Sequence, residues 1–333
     1  MRSLLKNNLP GFNFIFSSIV LLSLFTDTNG NSFVRAEINI TVDSNTKSLN
    51  KNNISLNPLD DYPPLPVRTR EIVSLIVELE SSIRNRNVND TKLPLEAHTQ
   101  QVLYRFLSKD RDLANNVLEL LPSSYKRIVT RHLQARRQFL EMSSSSLRPN
   151  FLPAWKIIDP EPASKLLSYY KKAEENTGIA WEILAAINLV ETGMGRISGK
   201  SIANAQGPMQ FLPSTWDENG VGLGGDINSA HDSIQAAARY LVKRGGLENI
   251  RKGLWGYNNS DYYGNAVLEY AELLKEDPRA FNGFYHWQIH YNSSQGDVLL
   301  PVGYSQINPI SISSYLKLFP SRASPDYSVI NSN

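Results

Sequence analysis

Apolar residues recur at helical spacing in the first half of the chain. Between about residues 67 and 142 they stand three or four positions apart, as in Ile72, Ile76 and Leu79. That spacing places the apolar side chains on one face of each α-helix and predicts several amphipathic helices. We predict a small helical bundle within residues 62–148.

A second helical region follows a segment rich in Ser and Pro, which begins at Ser143 and runs to Pro153. Because Ser and Pro clusters favour loops, we place a domain boundary near residue 150. The apolar pattern beyond it predicts helices at about 161–176, 179–191, 231–244 and 262–275.

A strand-like segment at 287–291 lies near the end of this second region. It faces the sequence DVLLPV across an Asn-Ser-Ser-Gln-Gly turn, which predicts a β-hairpin. The fold class that we predict is therefore mainly α with a small β-hairpin. Residues 301–333 carry no informative pattern, and we assign them as a C-terminal tail.

The amino terminus has the pattern of an export signal. Arg2 and Lys6 precede an apolar stretch from Phe12 to Phe25. We assign residues 1–30 as an export signal, or as an N-terminal membrane anchor if the signal is uncleaved. Residues 31–61 are rich in Asn, Ser, Asp and Thr and are predicted to be a flexible linker. We therefore expect a bacterial protein of the periplasm, the cell envelope or the secreted fraction.

Composition excludes several classes of function. The chain has 333 residues, a formal net charge of +2 and no cysteine. The small charge argues against a nucleic-acid partner, and the lack of cysteine excludes disulfides, lipoprotein anchoring and thiol nucleophiles. Neither a Gly-rich phosphate loop nor a Gly-x-Ser-x-Gly motif is present, which argues against nucleotide hydrolysis and serine acyl transfer.

No metal or other cofactor is expected, because the histidines are scattered over different predicted elements. His286 and His290 are four residues apart, but the intervening residues are predicted to be strand, where this spacing does not bring two side chains together. We interpret the histidines as surface or packing residues: His98, His132, His231, His286 and His290.

Glu191 is the candidate for chemistry. It ends the segment Trp181–Glu191, which is apolar on nearly every face and is predicted to be a buried helix. Gly193 and Gly195 then terminate the helix, so we expect the carboxyl group to emerge at a surface or a cleft. Considered alone, a glutamate at a helix end is more often a solvated or ion-paired residue.

Two features are expected to raise the pKa of Glu191. One is the negative end of the helix dipole, and the other is the pair of apolar neighbours one turn back, Leu184 and Ile187. A carboxylic acid that keeps its proton near neutral pH suits the protonation of a glycosidic oxygen.

Three motifs carry a resemblance to a known family. They are ILAAINLVETGMG around Glu191, the segment SIANAQGPMQ at 201–210, and GYN at 256–258. In this order they resemble the catalytic Glu, the Ser-x-Ala-Gly-Ala-x-Gly-Leu-Met-Gln stretch and the Ala-Tyr-Asn of lytic murein transglycosylases of the soluble-lytic (SLT-like) family. The resemblance covers about residues 155–290 and implies a lysozyme-like catalytic domain, which we place at 149–300.

The departures from the family motifs are mild. Thr192 stands in place of a Ser, Asn204 in place of a Gly, Pro208 in place of a Leu and Gly256 in place of an Ala. None of them removes a reactive group. Asn204 alters the loop that follows Ser201, which puts the role of Ser201 in question.

The resemblance implies both a substrate and a set of roles. The substrate is the glycan strand of peptidoglycan, cut at the MurNAc–GlcNAc β-1,4 bond with formation of 1,6-anhydroMurNAc. Glu191 acts as general acid and base, and the acetamido group of the substrate takes the place of a second carboxylate. The implied substrate-binding residues are Thr192, Ser201, Met209, Gln210, Tyr257 and Asn258.

Several alternatives stay open. For Met209 and Tyr257, packing in the core is an equal alternative to substrate binding. A hydrolytic muramidase would need one of the aspartates Asp217, Asp226, Asp232 or Asp261 to activate water, although Asp232 with Gln235 is better interpreted as a helix-capping pair. A non-catalytic peptidoglycan-binding module is the alternative from another class.

Overall fold

The computed structural model describes residues 57–143 and 148–325, and most of them are helical. A mainly α fold with small β-hairpins is thereby confirmed. The predicted export signal, most of the predicted linker, part of the Ser-rich break and residues 326–333 lie outside the described residues. Within the described ranges, no helix is both long enough and apolar enough to cross a membrane.

Four helices form in the region of the predicted bundle: α1 (Thr69–Asn85), α2 (Leu93–Lys109), α3 (Arg111–Leu120) and α4 (Ser123–Ser143). Each buries one apolar face, as Ile72, Ile76 and Ile83 do in α1. The carboxylate of Asp110 starts α3 by accepting a hydrogen bond from the backbone N–H of Leu113, which leaves one fewer unpaired donor at the helix end.

The second region contains α5 (Ala163–Thr177), α6 (Trp181–Thr192), α7 (Pro213–Trp216), α8 (Ala230–Lys243), α9 (Ile250–Asn258), α10 (Asp261–Glu276) and α11 (Phe281–His286). The bounds of α5, α6, α8 and α10 lie within two residues of the predicted ones. The sequence did not predict α9, because Gly253 and Gly256 lower its helix propensity. Both glycines are closely packed, since an added Cβ would lie 2.7 Å from the Cα of Gly246 or 2.8 Å from the Cβ of Arg244.

The start of α8 differs from the prediction. The hydroxyl of Ser229 accepts a hydrogen bond from the backbone N–H of Asp232, so Ser229 is the N-cap. Asp232 instead accepts a hydrogen bond from the backbone N–H of Asp226 in the preceding loop. The prediction of Asp232 with Gln235 as the capping pair is wrong, because the helix begins before Asp232.

Strands pair only in short antiparallel sheets within the described residues. The predicted hairpin is formed by β4 (Ile289–Ser293) and β5 (Gly296–Leu300), with Tyr291 opposite Val298. Residues 301–325 of the predicted tail include a strand and α12 (Ile312–Leu318), in which Ile312 and Tyr315 are buried. The other pairs are β1 (Phe151–Leu152) with β6 (Ile310–Ser311) and β2 (Lys156–Ile157) with β3 (Ile197–Ser198).

Apolar side chains are buried in separate clusters, and the largest one spans both helical regions. It joins Ala135 and Phe139 of α4 to residues from α5 to α11. A second cluster lies among α1 to α4, and a third lies between the hairpin and the segments around Trp155 and Tyr315. Packing therefore continues across residue 150, and the division into domains at 62–148, 149–300 and 301–333 stays a prediction.

Candidate active site

Helix α6 places Glu191 at the end of a segment that is buried throughout. Every residue from Ile183 to Thr192 is buried, as the apolar sequence predicts. Gly193 ends the helix with φ at 59°, a left-handed conformation that glycine adopts without strain. The helix therefore holds Glu191 within the core.

The Glu191 carboxyl group contacts no charged partner among the described residues. Its Oε1 accepts a 2.8 Å hydrogen bond from the hydroxyl of Tyr263. Its Oε2 has no hydrogen-bond partner in the described part of the chain. Burial raises the pKa of Glu191 to about 8, while the Tyr263 hydrogen bond opposes this rise by stabilising the charged form. The pKa is thus shifted in the predicted direction, and the group is mostly protonated at neutral pH.

The position of Glu191 differs from the prediction in one respect. The sequence predicted that the carboxyl group emerges at a surface or a cleft, but its side chain has 0% exposure. The reason lies in two segments that are remote in sequence. Tyr263 of α10 and the segment at Pro208 both contact the last turn of α6 and enclose it.

Thr192 and Asn188 hold the segment at Pro208 against α6. The Pro208 carbonyl oxygen accepts a 2.6 Å hydrogen bond from the Thr192 hydroxyl and a 2.8 Å hydrogen bond from Asn188 Nδ2. Asn188 Oδ1 accepts a further hydrogen bond, 2.6 Å long, from the Tyr170 hydroxyl. Burying the polar side chain of Asn188 costs free energy unless its hydrogen bonds are satisfied. The bonds to the Pro208 carbonyl oxygen satisfy part of this need and hold the loop against α6. The role of Thr192 in substrate binding stays a prediction.

The segment from Ser201 to Gln210 begins with a tight turn. Ser201 Oγ accepts a hydrogen bond from the backbone N–H of Ala205, and its carbonyl oxygen accepts one from that of Asn204. Asn204 has φ at 66°, in the left-handed region that asparagine adopts more readily than most residues, so it can replace the glycine of the family motif. The hydrogen bonds of Ser201 lie within its own loop and do not reach Glu191.

Met209 and Gln210 are buried at the end of this segment. Gln210 has φ at 49°, and its Nε2 donates a hydrogen bond to the carbonyl oxygen of Gly207 at 3.0 Å. The carbonyl oxygen of Met209 accepts a 2.8 Å hydrogen bond from the hydroxyl of Tyr257. The loop is therefore attached to α9 through Tyr257.

Tyr257 also contacts the tyrosine that binds Glu191. Its ring is parallel to that of Tyr263, with a centroid distance of 6.3 Å and an interplanar angle of 4°. Asn258, the last residue of α9, is buried, and its Nδ2 has no hydrogen-bond partner among the described residues. An unpaired buried amide is a polar group that a ligand can satisfy.

The structure thus connects some of the predicted site residues and leaves others apart. Met209 and Tyr257 are linked to Glu191 through Tyr263, and Thr192 is linked through α6. Ser201 is not connected to Glu191 by any hydrogen bond within the described ranges. Two polar residues of the site were missed: Tyr263, which no motif marks, and Asn188, whose signal was a lone amide within an apolar helix.

An open cleft of about 490 Å³ adjoins the end of α6, and this volume is within the usual range for small-molecule sites. The backbone N–H of Gly195, in the cleft wall, donates a 3.0 Å hydrogen bond to Thr192 Oγ1. Glu191 itself does not line this cleft. Its lining includes Met194, Gly195, Pro208, Asp159 and His231.

The four aspartates considered as a second carboxylate do not contact Glu191. The carboxylate of Asp226 accepts a hydrogen bond from the backbone N–H of Asn228. The carboxylate of Asp232 accepts one from the backbone N–H of Asp226. Asp217 and Asp261 are exposed at helix ends. Across the described ranges, no group of three or more His, Asp or Glu residues is arranged to hold a metal ion.

The chain is similar to the L-Ala--D-Glu endopeptidase of Bacillus subtilis (strain 168), with 27% identity over 146 residues. The similar region covers 36% of this chain and 44% of that protein, so the chain spans less than half the length of this relative. No family profile and no solved structure matches the chain. A similarity of this extent does not assign the chain to a family.

Proposed function

We propose that this chain cleaves the glycan strands of peptidoglycan as a lytic transglycosylase, with Glu191 as the only catalytic carboxyl group. The observation that carries the proposal is the state of this side chain. It is buried, its pKa is raised to about 8, and Oε2 is free of hydrogen bonds among the described residues. Such a group can deliver a proton at neutral pH and then take one back.

The similarity to the Bacillus endopeptidase supports the choice of polymer. A bond between L-alanine and D-glutamate belongs to the stem peptides of peptidoglycan, so the printed name of that relative is consistent with a cell-wall substrate. An enzyme acting on this polymer works outside the cytoplasm, which agrees with the predicted export signal. The resemblance to soluble-lytic transglycosylases supports the glycan strand as the part that is cut.

The proposed reaction uses the Glu191 carboxyl group twice, first as an acid and then as a base. Glu191 protonates the oxygen that joins C1 of MurNAc to GlcNAc, and that bond breaks to release the GlcNAc 4-hydroxyl. The acetamido group of MurNAc stabilises the positive charge that develops at C1. The Glu191 carboxylate then removes the proton from the MurNAc 6-hydroxyl, whose oxygen bonds to C1 and closes the 1,6-anhydro ring. Intramolecular attack needs little beyond positioning, because the nucleophile is already tethered.

Among the described residues, no second carboxylate acts on Glu191, and this favours the proposed reaction over hydrolysis. Glycosidases that hydrolyse their substrate commonly use two carboxyl groups on opposite sides of the bond. In the described part of the chain, the loop aspartates are exposed or bound to backbone N–H groups, and the pKa of Glu191 is set by burial and by Tyr263.

Substrate must reach a side chain that is enclosed in the free protein. The open cleft beside Gly195 and Pro208 is the proposed binding region for the sugar rings, because both residues are linked to Thr192 next to Glu191. The residues around the end of α6 must move apart when the glycan binds. The unpaired Nδ2 of Asn258 is the proposed donor to an acetamido oxygen of the substrate.

The direct test is digestion of purified peptidoglycan by the wild type and by Glu191→Gln, with the products identified by mass spectrometry. We expect 1,6-anhydro products from the wild type and a loss of activity of at least a hundredfold in the variant. Glu182→Gln removes a partly exposed glutamate from the same helix and is expected to keep wild-type activity.

Other product patterns would contradict the proposal. Sugars with a reducing end, heavier by one water, would identify a hydrolytic muramidase. Free stem peptides with intact glycan would identify the peptide bond as the target. Binding to peptidoglycan with no product would favour the non-catalytic module.

A further inference from the structure

A small cavity lies between the two helical regions, away from the open cleft described above. Its volume is about 50 Å³, and it shares no lining residue with that cleft. One side of the cavity is formed by α2 and α4, and the other by α6, α10 and the start of β4. The wall includes Arg105, Arg136, Val190, Tyr270 and His290.

Two buried arginines of this wall have unpaired N–H groups. Arg105 is 7% exposed and Arg136 is 4% exposed. Nε of both arginines and Nη2 of Arg136 form no hydrogen bond with any described residue. Nη2 of Arg105 also lacks a hydrogen bond of good geometry, although it forms an ion pair with Asp297. Buried donors are nearly always paired in native proteins, and leaving charged ones unpaired is expensive.

The nearby carboxylate does not balance the positive charge. Asp297 of β5 accepts ion pairs from Arg105 Nη2 at 3.0 Å, from Lys109 Nζ at 3.3 Å and from Arg136 Nη2 at 4.0 Å. Three cations thus share one acidic group. Burial lowers the pKa of Arg136 to about 10, which reflects the cost of holding this charge without a close partner.

The other titratable groups around the cavity do not change this balance. Burial lowers the pKa of His98 to about 3 and that of His132 to about 4, and that of His290 lies well below its usual value, so all three are neutral near pH 7. Glu80, the carboxylate closest to His132, is paired with Arg84. An excess of positive charge therefore remains at Arg105 and Arg136.

We propose that this cavity binds a small monovalent anion of the size of chloride, held between Arg105 and Arg136. A cavity needs only roughly 10–15 Å³ on this measure to hold a particle of the size of water, so this one has room for a chloride ion. It is far smaller than the sites that bind small organic molecules, so gluconate does not fit. Guanidinium groups are well suited to this role because they carry several N–H donors and a permanent charge.

The bound anion would join parts of the chain that are distant in sequence. It would contact the arginines of α2 and α4 on one side, and Leu189 and Val190 of α6 on the other. Glu191 does not line this cavity, which shares no lining residue with the open cleft proposed for the sugar rings. The test of the anion site does not depend on enzymatic activity.

The first test is the thermal unfolding of the full chain at constant ionic strength, with sodium gluconate replaced stepwise by sodium chloride. A ligand that binds only the folded state raises Tm with its concentration. We expect Tm to rise by roughly 2 to 4 °C for each tenfold increase in chloride above its Kd. A Tm that is the same in both salts would overturn the proposal.

Variants assign the effect to the cavity. Arg136→Gln removes one buried charge and is expected to abolish the chloride dependence of Tm. Arg127→Gln is the matched control, because Arg127 lies on the same helix and is 68% exposed; it should respond like the wild type. Asp297→Asn removes the competing carboxylate and should lower the chloride concentration at half effect by at least tenfold. A wild-type response in Arg136→Gln would contradict the assignment.

Crystals of the wild type soaked in bromide provide a test that does not depend on the folding of any variant. Bromide is only slightly larger than chloride and is located by its anomalous scattering. We expect a peak between the guanidinium groups of Arg105 and Arg136. A map with bromide sites elsewhere and none in the cavity would refute the proposal.

Discussion

A carboxylic acid within an apolar core keeps its proton to a higher pH than one in water, and Glu191 is held in this condition. Burial is the main cause of the raised pKa, and one hydrogen bond from Tyr263 limits it. The catalytic proposal thus depends on a side chain whose charged form destabilises the fold. Enzymes commonly trade stability for function at such positions.

The first prediction concerns the stability of Glu191→Gln. Because the pKa of Glu191 is raised from 4.5 to about 8 on folding, the folded chain binds an additional proton between these values. The contribution of this group to the free energy of unfolding is therefore greatest below about pH 4.5. It decreases as the pH rises toward 8, by up to about 1.4 kcal/mol per pH unit. Glutamine has no such dependence. In urea denaturation, the variant should match the wild type at pH 4 and exceed its stability at pH 8; a difference that does not change with pH would refute this.

The second prediction concerns Tyr263→Phe, which removes the hydroxyl that donates to Glu191 Oε1. That hydrogen bond lowers the pKa of Glu191, so its loss should raise the pKa further. We expect the alkaline limb of the pH–activity profile to move to higher pH and the free energy of unfolding to fall by about 1 kcal/mol. The wild-type profile is the control. An unchanged limb together with reduced stability would show that Tyr263 has only a structural role.

At the scale of elements, the conformation of the segment from Ser201 to Phe211 is fixed by contacts that its own sequence does not contain. Hydrogen bonds from α6 and α9 reach its carbonyl groups at Pro208 and Met209. Gly207 sits against the loop at Ile227 so closely that an added Cβ would lie 1.8 Å from the Ile227 carbonyl oxygen. The turn therefore requires glycine for both space and conformation.

The third prediction compares Gly207→Ala with Gly224→Ala. Both glycines have φ at 75°, so alanine is strained by about 1 to 2 kcal/mol at either position. Only at Gly207 does the new methyl group also collide with backbone, since nothing lies within 4 Å of the corresponding position at Gly224. We expect Gly207→Ala to lose more than about 4 kcal/mol in urea denaturation or to fail to fold. Equal losses at the two positions would contradict the assigned contact.

At the scale of the whole molecule, the front helices and the helices around Glu191 share polar and apolar contacts. Trp287 Nε1 donates a 3.0 Å hydrogen bond to Gln100 Oε1, and Gln101 forms two hydrogen bonds with the backbone of Gln288. Phe139 of α4 belongs to the same apolar cluster as α6 and α10. These contacts favour unfolding as a unit.

The fourth prediction is that calorimetry of the full chain shows a single transition, with equal calorimetric and van't Hoff enthalpies. Phe139→Ala should lower the free energy of unfolding by roughly 3 to 5 kcal/mol and move the whole transition to lower temperature. If the variant instead separates a front transition from an unchanged second one, the regions before and after residue 150 fold independently.

The sequence by itself determined the elements that depend on local pattern. Apolar spacing predicted α5, α6, α8 and α10 to within two residues, and turn residues predicted the hairpin of β4 and β5. A helix that is apolar on every face must be buried, so the burial of α6 and the raised pKa of Glu191 also followed from sequence. The sequence did not predict α9, because Gly253 and Gly256 lower its helix propensity. These glycines are needed for close packing against Gly246 and Arg244, which the local pattern does not show.

Only the tertiary structure decided which residues meet. Tyr263 reaches Glu191 from a helix 72 positions away in sequence, and nothing in the local pattern distinguishes it from Tyr262. Contacts between segments distant in sequence also enclose Glu191 and bring Arg105 and Arg136 close to Asp297. The physical reason is that local pattern fixes which face of an element is buried, whereas a pairwise contact depends on the packing of the whole chain.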